Sequence, residues 1–118
     1  MPEIKYRIQH VGINTDGDAD ALALANTLND VFGLEGITEK PVAFFAGSLF
    51  EVMKNRKRGL NGHIAMETDN VEAAMADLSG KGITFLEDTI KRAPDGHINF
   101  VYLEQQWGGF AVHLTEKV

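Results

Sequence analysis

Cysteine is absent from the 118 residues, so no disulfide can brace the fold and no thiolate can ligate a metal or act as a nucleophile. Any metal must therefore sit on His, Asp or Glu. Positive charge is also scarce. There are 11 Lys and Arg against 17 Asp and Glu, and a net charge of −6 argues against a nucleic-acid or anionic-membrane partner, since both need a positive field. No apolar run approaches the length of a membrane helix, and Met1-Pro2-Glu3-Ile4-Lys5 begins no signal-like segment, which points to a soluble cytoplasmic protein. The length leaves room for one domain over 1–118 and not for two independent cores.

What the chain does contain, it contains twice. Gln9-His10-Val11-Gly12-Ile13-Asn14-Thr15-Asp16 is echoed by Gly62-His63-Ile64-Ala65-Met66-Glu67-Thr68-Asp69. Each copy sets a histidine near the start of an alternating segment and leads through Thr-Asp into a helical pattern.

Tyr6 to Asn14 alternates as a strand, with Ile8, His10 and Gly12 on one face. Leu24, Leu28, Val31 and Phe32 then recur at helical spacing from Asp18 to about Phe32, where Gly33 stops the pattern. Gly36 to Glu39 is a weak edge strand beside Pro41, and Val42 to Ala46 and Leu49 to Met53 form a hairpin across Gly47-Ser48. Lys54-Asn55-Arg56-Lys57-Arg58-Gly59 puts four of the 11 basic residues into the link between the halves. It is either a solvated linker or an anion-binding rim.

The second half repeats the plan. Gly62 to Thr68 is a strand, Asp69 and Glu72 make a capping box, and Val71, Ala74, Met75 and Leu78 form the stripe of a shorter helix. Ile83 to Glu87, His97 to Leu103 and Phe110 to Thr115 complete it, the last two joined across Gly108-Gly109. The halves run from about 5 to 55 and from about 61 to 117. Insertions are expected near Ala93 to Gly96 and Glu104 to Gly108. The fold class is α+β: two tandem βαβββ modules in an open, curled mixed sheet with helices outside, sharing one core because neither half can bury both sheet faces alone.

Alternation gathers His10, Glu51, His63 and His113 on one face beside the small residues Gly12, Ala65 and Ala111, while bulky residues such as Val52, Ile64, Met66, Val112 and Leu114 take the other. Large side chains would fill a core, so the polar face looks like a cavity wall. Three imidazoles and a carboxylate suit a divalent transition metal (Zn, Ni, Mn, Co or Fe), with no basis for choosing among them. The fourth histidine, His97, falls in a Gly-rich turn and reads as exposed.

The order His-Val-Gly-Ile, helix, Phe-Glu-Val, then Gly-His-Ile-Ala, helix, Val-His-Leu resembles the vicinal oxygen chelate superfamily of glyoxalase I, fosfomycin-resistance enzymes, methylmalonyl-CoA epimerase and extradiol dioxygenases. That resemblance implies paired βαβββ modules around a metal, with ligand positions at His10, Glu51, His63 and His113. It also implies an acid at position 113 in the glyoxalase, epimerase and fosfomycin branches, where this chain has histidine, so Glu51 is left as the single carboxylate base. The endings Gly-Gly-Phe-Ala-Val-His-Leu and Phe-Glu-Val-Met-Lys are similar to the C-terminal domain of some 2-keto-3-deoxy-6-phosphogluconate/4-hydroxy-2-oxoglutarate aldolases, implying an aldolase partner or fusion.

The resulting expectation is a metal-dependent glyoxalase-type lyase or isomerase for a small α-keto or α-hydroxy compound held through two adjacent oxygens. Glu51 would be catalytic, and Lys54, Arg56 or Arg58 would orient an anionic group. A non-catalytic metabolite- or metal-binding module is the alternative, and ring-cleaving dioxygenase chemistry is the third. A homodimer is expected, because open sheet edges and open cavities favour closure by a second copy.

Overall fold

The computed structural model describes residues 3–117. It has ten elements: β1 (Arg7–Ile13), α1 (Asp18–Phe32), β2 (Ile37–Glu39), β3 (Ala43–Ala46), β4 (Phe50–Met53), β5 (Gly62–Thr68), α2 (Val71–Ser79), β6 (Phe85–Arg92), β7 (Ile98–Trp107) and β8 (Phe110–Glu116). The strands form one eight-stranded mixed sheet in the order β2-β3-β4-β1-β5-β8-β7-β6. β1 runs parallel to β4, β5 runs parallel to β8, and β1 and β5 meet antiparallel at the centre. Each half is thus a βαβββ module, and the two join edge to edge into an open sheet that does not close into a barrel.

Both helices lie on one face. α1 ends at Gly33, whose left-handed conformation (φ 61°) only glycine adopts without cost and whose N–H bonds the Asn29 carbonyl. It packs on β3 and β4 through Ala21 and Ala25, whose small side chains admit a close approach, with Leu24 and Leu28 beside them. Val31 and Phe32, expected in the buried stripe, are each 67% exposed, and the buried positions of the helix are Ala21 and Ala25. α2 is capped by Asn70, whose side chain accepts from the Ala73 N–H, and not by Asp69, which instead binds Arg7.

Most buried apolar side chains fall into two clusters, one under each helix, so the single core expected for the two halves is replaced by two cores on one continuous sheet, while Ala43, Met53, Ala65 and Ala111 are buried outside both clusters. Each helix covers only its own half. Of the two expected insertions, Ala93–Gly96 lies in the turn between β6 and β7, while Glu104–Trp107 continues β7; the strands themselves are longer, β6 and β7 having 8 and 10 residues where β2 and β3 have 3 and 4. α2, with 9 residues against 15 in α1, leaves an apolar groove of about 430 Å³ beside it on the helix face. Among the described residues, no helix is long and apolar enough to cross a membrane.

Candidate metal centre

On the face away from the helices, strand pairing sets side chains in rows. One row reads Phe45, Glu51, Gly12, His63, Ala111 across β3, β4, β1, β5 and β8. The next reads His10, Ala65, His113, Tyr102 across β1, β5, β8 and β7. Every one of the four polar residues therefore has a small neighbour both along its own strand or across the ladder, and the polar tips can converge.

They do converge. Glu51 Oε1 lies 3.0 Å from His63 Nε2 and 3.5 Å from His10 Nε2, and the two Nε2 atoms are 3.3 Å apart. One ring nitrogen from each of His10, His63 and His113 falls within 4.8 Å of the others. All four residues grouped from the sequence are thus in one place, drawn from two strands of each module.

The smallest neighbour, Gly12, leaves no room for a ligand. A Cβ there would stand 2.0 Å from His63 Cε1, so the His63 ring already fills the space in front of Gly12. Gly12 is needed for this close approach and not for an unusual backbone, since its φ is not positive.

β1 carries a bulge just before His10. Ile8 pairs with Met66 and His10 with Ala65, so Gln9 is an extra residue and strand alternation breaks there. Ile8 consequently shares the helix-side face of Met66, where simple alternation placed it beside His10. The displaced Gln9 has a use: its Oε1 is 3.0 Å from His10 Nδ1, and its Nε2 donates to Glu67 Oε1 at 3.1 Å. Glu67 is held in turn by Arg7 Nε at 2.5 Å. A hydrogen at His10 Nδ1, donated to Gln9, leaves the Nε2 lone pair directed at the cluster.

Burial sets the charge states. It pushes the His113 imidazole down to about 3, helped by the charges of His63 and His10, so His113 is neutral at ordinary pH. Burial also lowers His10, against the opposing pull of Glu51. For Glu51 burial acts upward, but the hydrogen bond with His63 and the charges of His10, His63 and His113 outweigh it and hold the carboxyl below its usual range. Neutral imidazoles and one carboxylate are the protonation states in which these groups donate electron pairs to a cation. His113 Nδ1 is buried and has no hydrogen-bond partner among the described residues, a cost that coordination would remove. The donor set fits a divalent transition ion.

Aromatic rings wall the cluster. Phe45 stands 5.9 Å from the His10 ring, and Phe100 and Tyr102 stand 4.4 and 5.1 Å from His113. Burial raises the Tyr102 phenol, so it keeps its proton. None of the three was singled out from the sequence; the signal for Tyr102 is its register opposite His113, which only the pairing of β7 with β8 reveals.

The basic run divides. Lys54, on the helix face of β4, binds Glu39 at 2.7 Å and lies over the Phe44 ring, while Arg56 binds Asp16 at 2.8 Å on the surface. Arg58 lies over the Tyr102 ring and, with Lys57 of the same run, lines a cavity of about 450 Å³ shared with Met53, His63 and Tyr102. His97 is not simply exposed: its ring bridges Asp95 and Glu116 Oε1, the latter at 2.7 Å, and these bonds raise its pKa. It stands apart from the cluster.

No family model and no curated protein matches the chain. Among solved structures, a hypothetical protein from Bacillus halodurans is similar over 97% of this chain and 96% of its own, with 18% identity and a TM-score of 0.61. Methylmalonyl-CoA epimerase from Mycobacterium tuberculosis is similar over 94% of this chain and 87% of its own, with 17% identity and a TM-score of 0.56. What these likenesses show is the fold, the glyoxalase-like pairing of βαβββ modules that the vicinal oxygen chelate resemblance implies.

Proposed function

We propose that the protein is a metal-dependent lyase or isomerase of the glyoxalase type, acting on a small α-keto or α-hydroxy compound bound through two adjacent oxygens. The observation that carries this is the convergence of His10, His63 and Glu51 at 3.0–3.5 Å, with a ring nitrogen of His113 within 4.8 Å of those of the other two histidines. His10, His63 and His113 would hold the ion, with Glu51 as a fourth donor. Bound there, a divalent ion supplies Lewis acidity toward a carbonyl.

The chain's own part is proton handling and enclosure. Glu51, ionised and partly open to solvent, is the group able to take a proton from the carbon next to a bound carbonyl and return it. Phe45, Phe100 and Tyr102 limit water around it. Of the three basic residues expected to orient substrate, Lys54, Arg56 and Arg58, it is Arg58 that lines the cavity.

The alternative, a non-catalytic metabolite- or metal-binding module, is favoured by one observation: the place symmetric to Glu51 holds His113, so the cluster has a single base. Two measurements separate the readings. Protein purified without tag or chelator should carry close to one transition-metal ion per chain by elemental analysis. Glu51→Gln should then lower turnover of the hemithioacetal of methylglyoxal, or of a substrate found by screening, by roughly 10²–10⁴-fold. Metal well below one per chain would remove the proposal's centre, and full turnover in Glu51→Gln would remove Glu51 as the base. We further propose a homodimer, since β2 and β6 are unpaired sheet edges, and sedimentation tests it. Co-purification with a keto-acid aldolase tests the proposed aldolase link.

A further inference from the structure

Building on the metal-site reading above, we propose that the compound taken by this cavity carries a second, anionic group, a carboxylate or a phosphate, received by Arg58 and Lys57 beside the Tyr102 ring. The link between the modules sorts its charges by position. Lys54 and Arg56 are neutralised by Glu39 and Asp16. Lys57 and Arg58 have no carboxylate within 4.0 Å among the described residues, and both line the cavity that His63 enters. In a chain of net charge −6, two unmatched cations at the mouth of a cavity make a local field that gathers anions.

These cations are held in place. The buried Asn14, at the end of β1, donates through Nδ2 to the Gly59 carbonyl at 2.9 Å and the Lys57 carbonyl at 3.4 Å, and accepts from the Lys57 N–H at 3.2 Å. Gly59 adopts φ 87°, and a Cβ there would meet the Gly62 carbonyl oxygen at 2.1 Å, so this turn is tied closely to the start of β5. The Arg58 guanidinium sits 4.9 Å from the Tyr102 ring centre, and that ring is 5.1 Å from the His113 ring. One aromatic ring therefore separates the cation from the ligand cluster, a separation that suits a small molecule with chelating oxygens at one end and an anion at the other. The guanidinium fork matches carboxylate and phosphate alike.

Calorimetry on metal-loaded protein tests this with two matched pairs. 2-Oxobutanoate and 2-oxoglutarate share the same vicinal oxygens and differ by a distal carboxylate; glycerate and 3-phosphoglycerate differ by a distal phosphate. The expected result is that one longer member binds about tenfold or more tightly than its short partner, the gain of a charge-assisted contact. The pair that shows the gain identifies the anion. Arg58→Ala should reduce the gain to about twofold or less with metal content as in the parent, and Arg58→Lys should restore part of it. Equal affinities within both pairs, or a gain that survives Arg58→Ala, would overturn the proposal. Metal-free protein gives an independent readout, because adding inorganic phosphate should move the Arg58 side-chain nitrogen resonance and that of Lys57. If the chain takes up no metal yet these resonances move, the anion site stands and the metal reading falls; if metal binds and they do not move, the anion site falls.

Discussion

The two modules occupy equivalent places around the central β1/β5 pair, yet they bring different chemistry to it. The second supplies two imidazoles, His63 and His113, 6% and 4% exposed, from the seven-residue strands β5, at the central seam, and β8 beside it. The first supplies His10 and Glu51, whose side chains are 15% and 18% exposed, from a bulged strand and a strand of four residues. The lesson is a division of labour within one architecture. Module two offers two buried imidazoles, and module one offers an imidazole and a carboxylate that are more open to solvent.

The small residues give the sharpest way to break that comparison. Gly12→Ala should displace the His63 ring, because the added carbon overlaps it. We expect loss of metal uptake with the fold retained by circular dichroism, at an overpacking cost of about 1–3 kcal/mol. The counterpart Ala65→Gly should leave uptake intact and cost about 0.5–1 kcal/mol in urea unfolding. Equal behaviour of the two variants would mean the modules are interchangeable after all.

A smaller effect should follow from the hydrogen bond behind His10. Gln9→Ala removes the acceptor at His10 Nδ1, and metal affinity measured by competition with a chelator should fall by about 10–100-fold. Gln9→Glu keeps an acceptor and should restore most of it. Module two has no such side-chain partner at His113 Nδ1 among the described residues, so a His113 neighbour substituted in the same way should have no comparable effect.

Acid gives a further test of the same contrast. His113 stays neutral in the fold down to about 3, while in the unfolded chain an imidazole takes a proton near pH 6.5. The unfolded state therefore binds more protons over that interval, and metal-free stability should fall as pH drops through it. Glu51, lowered in the fold, adds a loss in the same direction as pH falls through its folded value. His97, raised by Glu116 and Asp95, acts oppositely: its contribution is present below pH 6.5 and is lost as pH rises through its raised pKa. Urea midpoints between pH 7 and 4 should decline for the parent chain, and the slope should flatten in His113→Gln.

Much of this was legible in the sequence. Asp18–Phe32 and Gly62–Thr68 match the observed helix and strand because apolar spacing, the Gly33 stop and strand alternation agreed locally. The polar face was legible for the same reason, since a period of two needs only the strand itself. What could not be read depends on partners. The bulge at Gln9 exists only relative to β5, and the helix cap at Asn70 is decided by Asp69 being drawn to Arg7. Choosing Arg58 over Lys54 and Arg56 required knowing where Glu39 and Asp16 lie, and Tyr102 became visible only through its register with His113.

The antiparallel seam between β1 and β5 also bears on how such a cluster can be composed at all. Two identical half-length chains meeting along that seam would be bound by symmetry: whatever one strand presented, its mate would present again, and the donors would come in matched twos. Three nitrogens and one carboxylate are then out of reach. Joining the halves through residues 54–61 lifts that rule, because each half can change without its twin. The linker that looks like mere connection is what permits an odd number.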